Sequence, residues 1–260
     1  MKDLFEIRGT LDTKTQRTME LLGLFLFLSV WEVSALWINS AIILPSPWKV
    51  LTSFKELYFE DFLLDNTWYS IKLNLYGYLQ SILLAIPLGF VIGLFPGPKA
   101  LTGRYIDALR FIPLTAVTGV FILWFGIETN MKVQFLSFGI FVYLLPVVVQ
   151  RVSEVNEIYK QTVFTLGASK WQTITSVFIP DVLRKISDDI RVLVAISWTY
   201  IIVAELINKS GGIGALIFTA TRQSRLDKVF AILVVIIIIG FVQDKLFSYI
   251  DKKIFPDKKL

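Results

Sequence analysis

The chain of 260 residues contains neither cysteine nor histidine. Without cysteine there is no disulfide bond, no thiolate nucleophile and no cysteine-ligated metal site. Without histidine the chain lacks the side chain that most often acts as a general base or a metal ligand. Together these absences argue against most intramembrane enzymes, such as proteases and acyltransferases.

Charged residues are also scarce. They make up 18% of the chain, whereas 55% of its residues are hydrophobic, and the mean hydropathy is +0.64. This apolar share is above that of soluble domains, and a membrane-spanning helix needs roughly 20 apolar residues. The pattern predicts an all-α, polytopic membrane protein with about six transmembrane helices. The predicted spans are 20–38, 69–96, 105–125, 132–151, 188–207 and 228–250.

The basic residues lie beside the apolar runs, which indicates membrane topology rather than nucleic-acid binding. With the N-terminus in the cytoplasm, most of the 26 Lys and Arg residues fall on the cytoplasmic side, as the positive-inside rule requires. We therefore expect both termini to be cytoplasmic. The last outer loop is an exception, because it carries Lys209, Arg222, Arg225 and Lys228. Between the first two spans, the sequence after "LPSP" predicts a short amphipathic helix along the membrane surface.

The longest internal loop, 152–187, is polar and has a helical pattern. Val163, Gly167, Trp171, Ile174 and Phe178 follow one another at steps of four, four, three and four, which places them on one helical face. Glycine inside a helix costs about 1 kcal/mol relative to alanine. Either the helix breaks at Gly167, or another backbone approaches very closely there.

Three further signals divide this loop. Ser169 and Gln172 have the spacing of a capping box, which starts a fresh helix after the glycine. Pro180 is expected to end that helix, and the pair Asp188 and Asp189 is expected to cap the start of the next span. The loop is then either a connector packed on its own membrane domain or an exposed helix that docks into a groove on a soluble partner.

The segment "LGASKWQTITSVFIP" resembles the cytoplasmic loop motif of permease subunits of bacterial binding-protein-dependent ABC importers. Gly167 matches the glycine of that motif and Ile179-Pro180 matches its ending, while "QTVFT" stands where the family has an acidic-Ala-Ala segment. The stretches "LPSPWKV", "PLTAVTGVFILWFGI", "SWTYIIVAEL" and "GGIGALI" resemble the nitrate/sulfonate/taurine branch of the family. The resemblance covers residues 44–250.

The resemblance implies that residues 1–260 form one permease domain, with a core at 20–250, in the bacterial inner membrane. It implies partners: a cytoplasmic ABC ATPase dimer, a second permease subunit (a homodimer being favoured) and a soluble or lipid-anchored substrate-binding protein. The implied ATPase contacts are Val163, Leu166, Gly167, Ala168, Trp171, Ile174, Phe178 and Pro180. The chain has no G-x-x-x-x-G-K-[ST] phosphate loop, so it is expected to be non-catalytic and to hold no cofactor, with ATP–Mg bound by the ATPase.

Polar residues inside the spans are candidates for a translocation pathway. Glu205 lies near the outer end of the fifth span, where it is either functional or merely solvated at the interface. Pro113 is expected to free carbonyl groups within the third span. The hydroxyl groups of Thr115, Thr118, Ser197 and Thr199 either line a polar path or pack helices together. Gly211, Gly212 and Gly214 predict a tight re-entrant turn or an ordinary loop.

The sequence therefore predicts the membrane subunit of an ATP-driven importer for a small, anionic nutrient. Nitrate, a sulfonate such as taurine, bicarbonate and a small heterocyclic precursor all remain open as substrates. The alternative is an ion-coupled secondary transporter, which requires ionisable groups at mid-membrane, and few are visible within the predicted spans.

Overall fold

A computed structural model of the chain describes residues 9, 11–207 and 210–256. Lys2, Arg8, Lys209, Lys258 and Lys259, which entered the prediction of topology, lie outside these residues, as do both ends of the predicted domain 1–260. Throughout the described residues the regular secondary structure is helical, which confirms the all-α prediction.

Eleven α-helices and one π-helical segment are found in the described part of the chain. They are α1 (Thr13–Ile38), α2 (Pro47–Phe59), α3 (Leu63–Leu94), α4 (Pro96–Leu109), α5 (Leu114–Phe125), α6 (Thr129–Ser153), α7 (Glu157–Thr165), α8 (Lys170–Thr173), the π segment Ile174–Phe178, α9 (Ile179–Ile207), α10 (Ile213–Arg222) and α11 (Leu226–Ile254).

Five of the described helical stretches are long and apolar enough to cross a membrane: α1, α3, α6, the stretch Lys170–Ile207 and α11. The pair α4 and α5 makes a sixth only if both helices count as one span, because they are bent by 106° at a short break. The continuous span predicted at 105–125 is therefore wrong. Pro113 stands outside the helix, as the N-cap of α5, because the residue before a proline is disfavoured from continuing a helix.

Helix α2 confirms the predicted amphipathic helix after "LPSP". The Ser46 side chain caps its first turn by accepting the N–H of Lys49, and Pro47 occupies its first position, where a missing N–H costs nothing. Val50 and Leu57 are buried, and Ser53 Oγ donates a hydrogen bond to the Asp227 carbonyl of α11. The buried face of α2 thus lies on the first turn of α11.

Helices α3 and α6 run in the same direction, in contact along their length. A Cβ added to Gly77, Gly89 or Gly93 of α3 would collide with Leu136, Val148 or Val152 of α6, respectively. The register between the helices is therefore constant. Small residues recur on α3 at every fourth position, at Gly77, Ser81, Ala85, Gly89 and Gly93. Such a stripe allows two membrane helices to approach closely and to gain dispersion contacts.

Helix α9 crosses back against α6. Near one end of the pair, the Arg151 guanidinium donates two hydrogen bonds to Asp189, with N–O distances of 2.7 and 2.8 Å. Further along, Gly139 of α6 lies close to the Tyr200 ring of α9. The predicted capping role of Asp188 and Asp189 is wrong, because α9 already begins at Ile179.

A charge cluster at the start of α11 accounts for two of the basic residues of the last outer loop, Arg225 and Lys228. The Arg225 guanidinium pairs with Glu56 and Asp227, and Lys228 Nζ lies 2.6 Å from Asp61. These basic groups are neutralised by carboxylates on α2, after α2 and on α11 itself. They therefore hold helices together at the end of the bundle that carries α2 and α10, which we call the α10 end. The opposite end, which carries α7 and α8, is called the α8 end.

Candidate functional site

The loop between α6 and α9 forms a bent helical projection at the α8 end. Helix α7 begins at the N-cap Asn156, whose side chain accepts the N–H of Ile158, and it ends in a Schellman motif. The Ala168 N–H donates to the Val163 carbonyl and the Gly167 N–H donates to the Phe164 carbonyl, each at 3.0 Å. Gly167 adopts a φ of +82°, which glycine tolerates better than any other residue.

The helix therefore breaks at Gly167, one of the two outcomes that the sequence allowed. The other outcome, a close backbone approach, is not found among the described residues, because a Cβ at Gly167 would have no atom within 4 Å. It follows that Val163 and Gly167 do not share one continuous helical face with Trp171, Ile174 and Phe178, and that part of the prediction is wrong.

The predicted capping box at Ser169 is confirmed. The Ser169 hydroxyl accepts the Gln172 N–H, and the Gln172 side chain accepts the Ser169 N–H at 2.8 Å. The new helix continues through the π segment into α9. Pro180 therefore does not end it, which corrects the prediction. Pro180 lies directly after the π segment, as the second residue of α9. Its ring removes one N–H donor from the helix, and the helical path continues through this local irregularity.

Around this break the projection exposes large apolar side chains. Leu166 is 81% exposed and Trp171 70% exposed, and Phe164 is exposed as well. Behind them Val177 is buried, while Val163, Ala168, Ile174 and Phe178 are half-buried. We call Phe164, Leu166 and Trp171 the apolar tip. A cavity of ≈ 390 Å³ separates α7 from the start of α9 and is lined in part by Val163 and Pro180.

At the opposite end of the bundle, Glu205 is completely buried, and the sequence-based option of a solvated carboxylate is therefore wrong. One carboxylate oxygen accepts the Gly214 N–H at 2.8 Å, and the other accepts the Ser70 hydroxyl at 2.6 Å. Ser70 Oγ in turn accepts the Ile213 N–H at 2.8 Å. These bonds satisfy the first N–H groups of α10, which a helix cannot satisfy internally, and negative charge suits that end of a helix.

The Gly-Gly turn before α10 depends on this carboxylate. A Cβ at Gly212 would lie 2.2 Å from the Glu205 carboxyl group, and Gly212 has a φ of +101°. The Gly212 N–H donates to the Asn66 side chain at 2.8 Å. Of the two sequence-based options, the structure therefore has a tight turn that brings α10 back onto α3 and α9. We call Glu205, Ser70, Asn66 and residues 211–214 the α10 latch.

Lys132 is a fully buried lysine next to the latch. Its ammonium group lies 3.3 Å from Ser210 Oγ and 3.4 Å from the Gly211 carbonyl, and 5.1 Å from the centre of the Tyr69 ring. A buried ammonium group is retained only where such groups replace its water. Lys132 is the first residue of the predicted span 132–151, and the sequence analysis did not single it out, although an ionisable residue inside a membrane span is rare and usually functional.

The other predicted pathway residues are not brought together in one site. Ser197 is buried and bonds to Asn74 Oδ1 at 3.0 Å, which is a contact between α9 and α3. Thr199 lies on the exposed face of α9, and Thr115 on the exposed face of α5. Thr118 Oγ1 donates to the Thr115 carbonyl within α5.

The fold and these two ends describe a class of protein: a helical multi-pass membrane protein with an apolar helical tip outside the bundle. The residue pattern of a protein family matches residues 85–256, and that family is the binding-protein-dependent transport system inner membrane component. The match covers more than half of the chain. The chain belongs to this family of ABC importer permease subunits, which confirms the resemblance drawn from the loop motif.

Two relatives match most of the chain. The chain is 32% identical over 236 residues to a putative ABC transporter permease of Methanocaldococcus jannaschii, covering 89% of this chain and 88% of that protein. It is 30% identical over 235 residues to a putative aliphatic sulfonates transport permease of Bacillus subtilis, covering 87% of this chain and 83% of that protein. The second relative lies in the branch that the sequence indicated.

A solved structure shares the fold. An inward-facing form of the methionine ABC transporter MetNI superposes with a TM-score of 0.61 at 14% identity, covering 74% of this chain and 95% of the matched chain. The protein is thus a multi-pass inner-membrane permease subunit of an ABC importer. Permease subunits of this kind are non-catalytic, and their importers contain an ATPase and a substrate-binding protein.

Proposed function

We propose that the apolar tip transmits ATP-driven motion from a cytoplasmic ATPase dimer to the membrane helices. The observation that carries the proposal is the exposure of Leu166 and Trp171 on a turn that is capped on both sides. Exposed apolar groups cost free energy in water, so a contiguous set of them on a rigid turn indicates a docking surface. The sequence expectation included Leu166 and Trp171; Phe164 is added here.

The stretch Lys170–Ile207 connects this surface to the bundle. It runs from the tip through the π segment and along α6 to the α10 latch. A π-helical segment often marks a functional position in a helix. A displacement of Trp171 by the ATPase is therefore transmitted through one helical stretch from the α8 end to the α10 end. Such a displacement can couple ATP hydrolysis to a change between two states of the bundle.

The proposed topology places the α8 end and both termini in the cytoplasm and the α10 end outside. Two copies of this chain form the permease pair, a soluble or lipid-anchored binding protein delivers the substrate at the α10 end, and ATP–Mg is bound by the ATPase alone. The proposed substrate is a small anionic nutrient: nitrate, a sulfonate such as taurine, or bicarbonate. The Bacillus subtilis relative, named for aliphatic sulfonates, supports this class.

Crosslinking tests the docking surface, because the chain has no native cysteine. Leu166→Cys is expected to form a disulfide with a cysteine introduced into the coupling cleft of the partner ATPase. Ile158→Cys is the control, because Ile158 is 64% exposed on the same projection but lies in the first turn of α7, outside the apolar tip. Equal crosslinking of both variants, or none at Leu166, contradicts the proposal.

A functional test must separate docking from folding, since Gly167 also completes the cap of α7. Gly167→Asn keeps a residue that tolerates positive φ, and we expect it to retain coupling. Trp171→Glu leaves the backbone unchanged, and we expect it to abolish transport-coupled ATP hydrolysis while the protein still inserts and elutes as a folded species. Retained transport in Trp171→Glu overturns the docking role.

A further inference from the structure

Two glutamines form a polar pair within the apolar length of α3 and α6. Gln80 lies near the middle of α3, between Leu79 and Ser81, and Gln134 lies in the second turn of α6. Gln80 Nε2 donates to Gln134 Oε1 at 2.7 Å, and Gln134 Nε2 donates back to Gln80 Oε1 at 3.3 Å. Gln134 Nε2 also lies 3.3 Å from Asn130 Oδ1.

Both glutamines are half-buried. The bonds within the pair use one N–H of Gln80, and its second N–H donor would lose its bond with water if the pair faced lipid hydrocarbon. Polar side chains at membrane depth are therefore found facing a bundle interior or a water-filled cavity. The pair fits this rule only if the face it shares is not covered by lipid.

A cleft adjoins the pair. It has a volume of ≈ 300 Å³, lies between α3, α5 and α6, and includes both glutamines and Ser137 among its walls. Its remaining walls are apolar, and they include the aromatic side chains Phe121, Trp124, Phe125, Phe138 and Phe141. An apolar cleft with a few convergent polar groups is the usual form of a small-molecule site.

The donors of the cleft are uncharged. A carboxamide has two N–H donors, and the contacts among the described residues use one of the two on Gln80. A neutral N–H donor binds an oxygen atom more weakly than a lysine or arginine does. Weak binding is an advantage in a pathway, because a transported solute must leave as readily as it enters.

We propose that this cleft is a water-accessible part of the translocation pathway, in which Gln80 and Gln134 contact the oxygen atoms of a small oxyanion. The proposal rests on the proposed function, and it names the residues that select the substrate inside the membrane. Gln80 and Gln134 replace the pathway threonines of the sequence analysis in this role.

The first experiment needs no substrate. Gln80→Cys is reacted with the anionic, membrane-impermeant reagent 2-sulfonatoethyl methanethiosulfonate, and Ile237→Cys is the control. Ile237 is 69% exposed near the middle of the apolar helix α11. We expect Gln80→Cys to react at least roughly tenfold faster, as the cost of bringing an anion into hydrocarbon predicts. Equal rates at the two positions overturn the proposal.

The second experiment measures uptake into proteoliposomes that contain the permease, its ATPase and its binding protein. Taurine, nitrate and bicarbonate are the probes, each supplied alone. For the transported probe, Gln80→Leu is expected to lower uptake roughly tenfold, the effect of one lost hydrogen bond. Gln80→Asn is expected to restore part of the uptake.

The two experiments fail in different ways. If the wild-type complex takes up none of the three probes, the proposed substrate class is wrong, while the thiol reaction still decides whether the cleft holds water. If Gln80→Leu transports normally in a complex that takes up one of the probes, substrate contact at Gln80 is wrong and the proposed function stands.

Discussion

Glu205 Oε2 lies 2.8 Å from the backbone nitrogen of Gly214, although nine residues and a reversal of chain direction separate them. The contact closes the turn between α9 and α10. It ties the end of the long helix that begins at the apolar tip to a short helix packed at the opposite end of the bundle.

Removal of this carboxylate should destabilise the α10 end. In Glu205→Ala the N–H of Gly214 and the hydroxyl of Ser70 lose their acceptor in a buried place, at a cost of about 1–3 kcal/mol each. Glu205→Gln keeps one oxygen for Gly214, so we expect a smaller loss. Thermal unfolding in detergent measures both; an unchanged melting temperature in Glu205→Ala refutes the latch.

The glycine before α10 gives an independent test. Gly212→Ala requires a positive φ at a non-glycine residue and places a Cβ against the Glu205 carboxyl group, so we expect a loss of more than about 2 kcal/mol. The control is Gly240→Ala in α11, where a Cβ meets no atom within 4 Å and helix propensity favours alanine by about 1 kcal/mol. Equal melting temperatures for the two variants count against the turn.

The stripe of small residues on α3 predicts a compensating pair. In Gly89→Ala the new Cβ would lie 2.5 Å from Val148 Cγ1, and such overpacking typically costs about 1–3 kcal/mol. Val148→Ala removes the clashing Cγ1 atom but keeps Val148 Cβ, 2.6 Å from the new Cβ, so the compensation is partial: the double variant should be somewhat more stable than the sum of the two single variants predicts. Strict additivity in a double-mutant cycle contradicts the contact.

The Arg151–Asp189 pair should be worth more than an exposed ion pair. It is bidentate, with side chains that are 30% and 18% exposed. We expect Asp189→Asn to cost about 1–2 kcal/mol. The control is Asp107→Asn, which removes a pair that is 47% and 65% exposed and should change stability by less than about 0.5 kcal/mol. A reversed order in thermal melts contradicts the prediction.

The Glu56–Arg225 pair predicts a pH dependence at the α10 end. Hydrogen bonding to Arg225 holds the pKa of Glu56 below its ordinary value of 4.5, so the ionised carboxylate stabilises the fold. This stabilisation is fully present above pH 4.5 and is lost as the pH falls through the lowered pKa. Because Glu56 is 40% exposed, its size is a few tenths of a kcal/mol. Below pH 4.5 the melting temperature should fall less steeply with pH in Glu56→Gln than in the wild type. An identical pH dependence in both proteins disproves the prediction.

Hydropathy alone located two spans to within about four residues, as at 132–151, where the helix is Thr129–Ser153; α1, α3 and α9 begin about six to nine residues before their predicted starts. A bilayer demands a long apolar run, and that demand is visible in one dimension. The third predicted span, 105–125, is wrong because hydropathy does not show where an apolar run bends, and α4 and α5 are bent by 106°. The available signal was Pro113, which disfavours helix at the residue before it.

Local chemistry predicted part of the loop. The Ser169–Gln172 box depends on residues within one turn, so sequence spacing is sufficient to find it. The break at Gly167 was one of two options that the sequence left open, and the shared helical face and the helix end at Pro180 were wrong. The four-residue repeat from Gly77 to Gly93 was equally local and could have been read as a packing face. Only its partner, α6, required the structure.

The amino-acid sequence by itself determined that this protein spans the membrane with helices, that a helix of its loop starts after Ser169, and which family it belongs to. Each of these depends on residue type, period or short-range hydrogen bonding. The tertiary structure decided that Glu205 is buried, that Arg225 and Lys228 are paired, and that Gln80 meets Gln134. Those facts depend on which helices become neighbours across 50 to 170 positions of chain, and spacing along a sequence carries no information about such contacts.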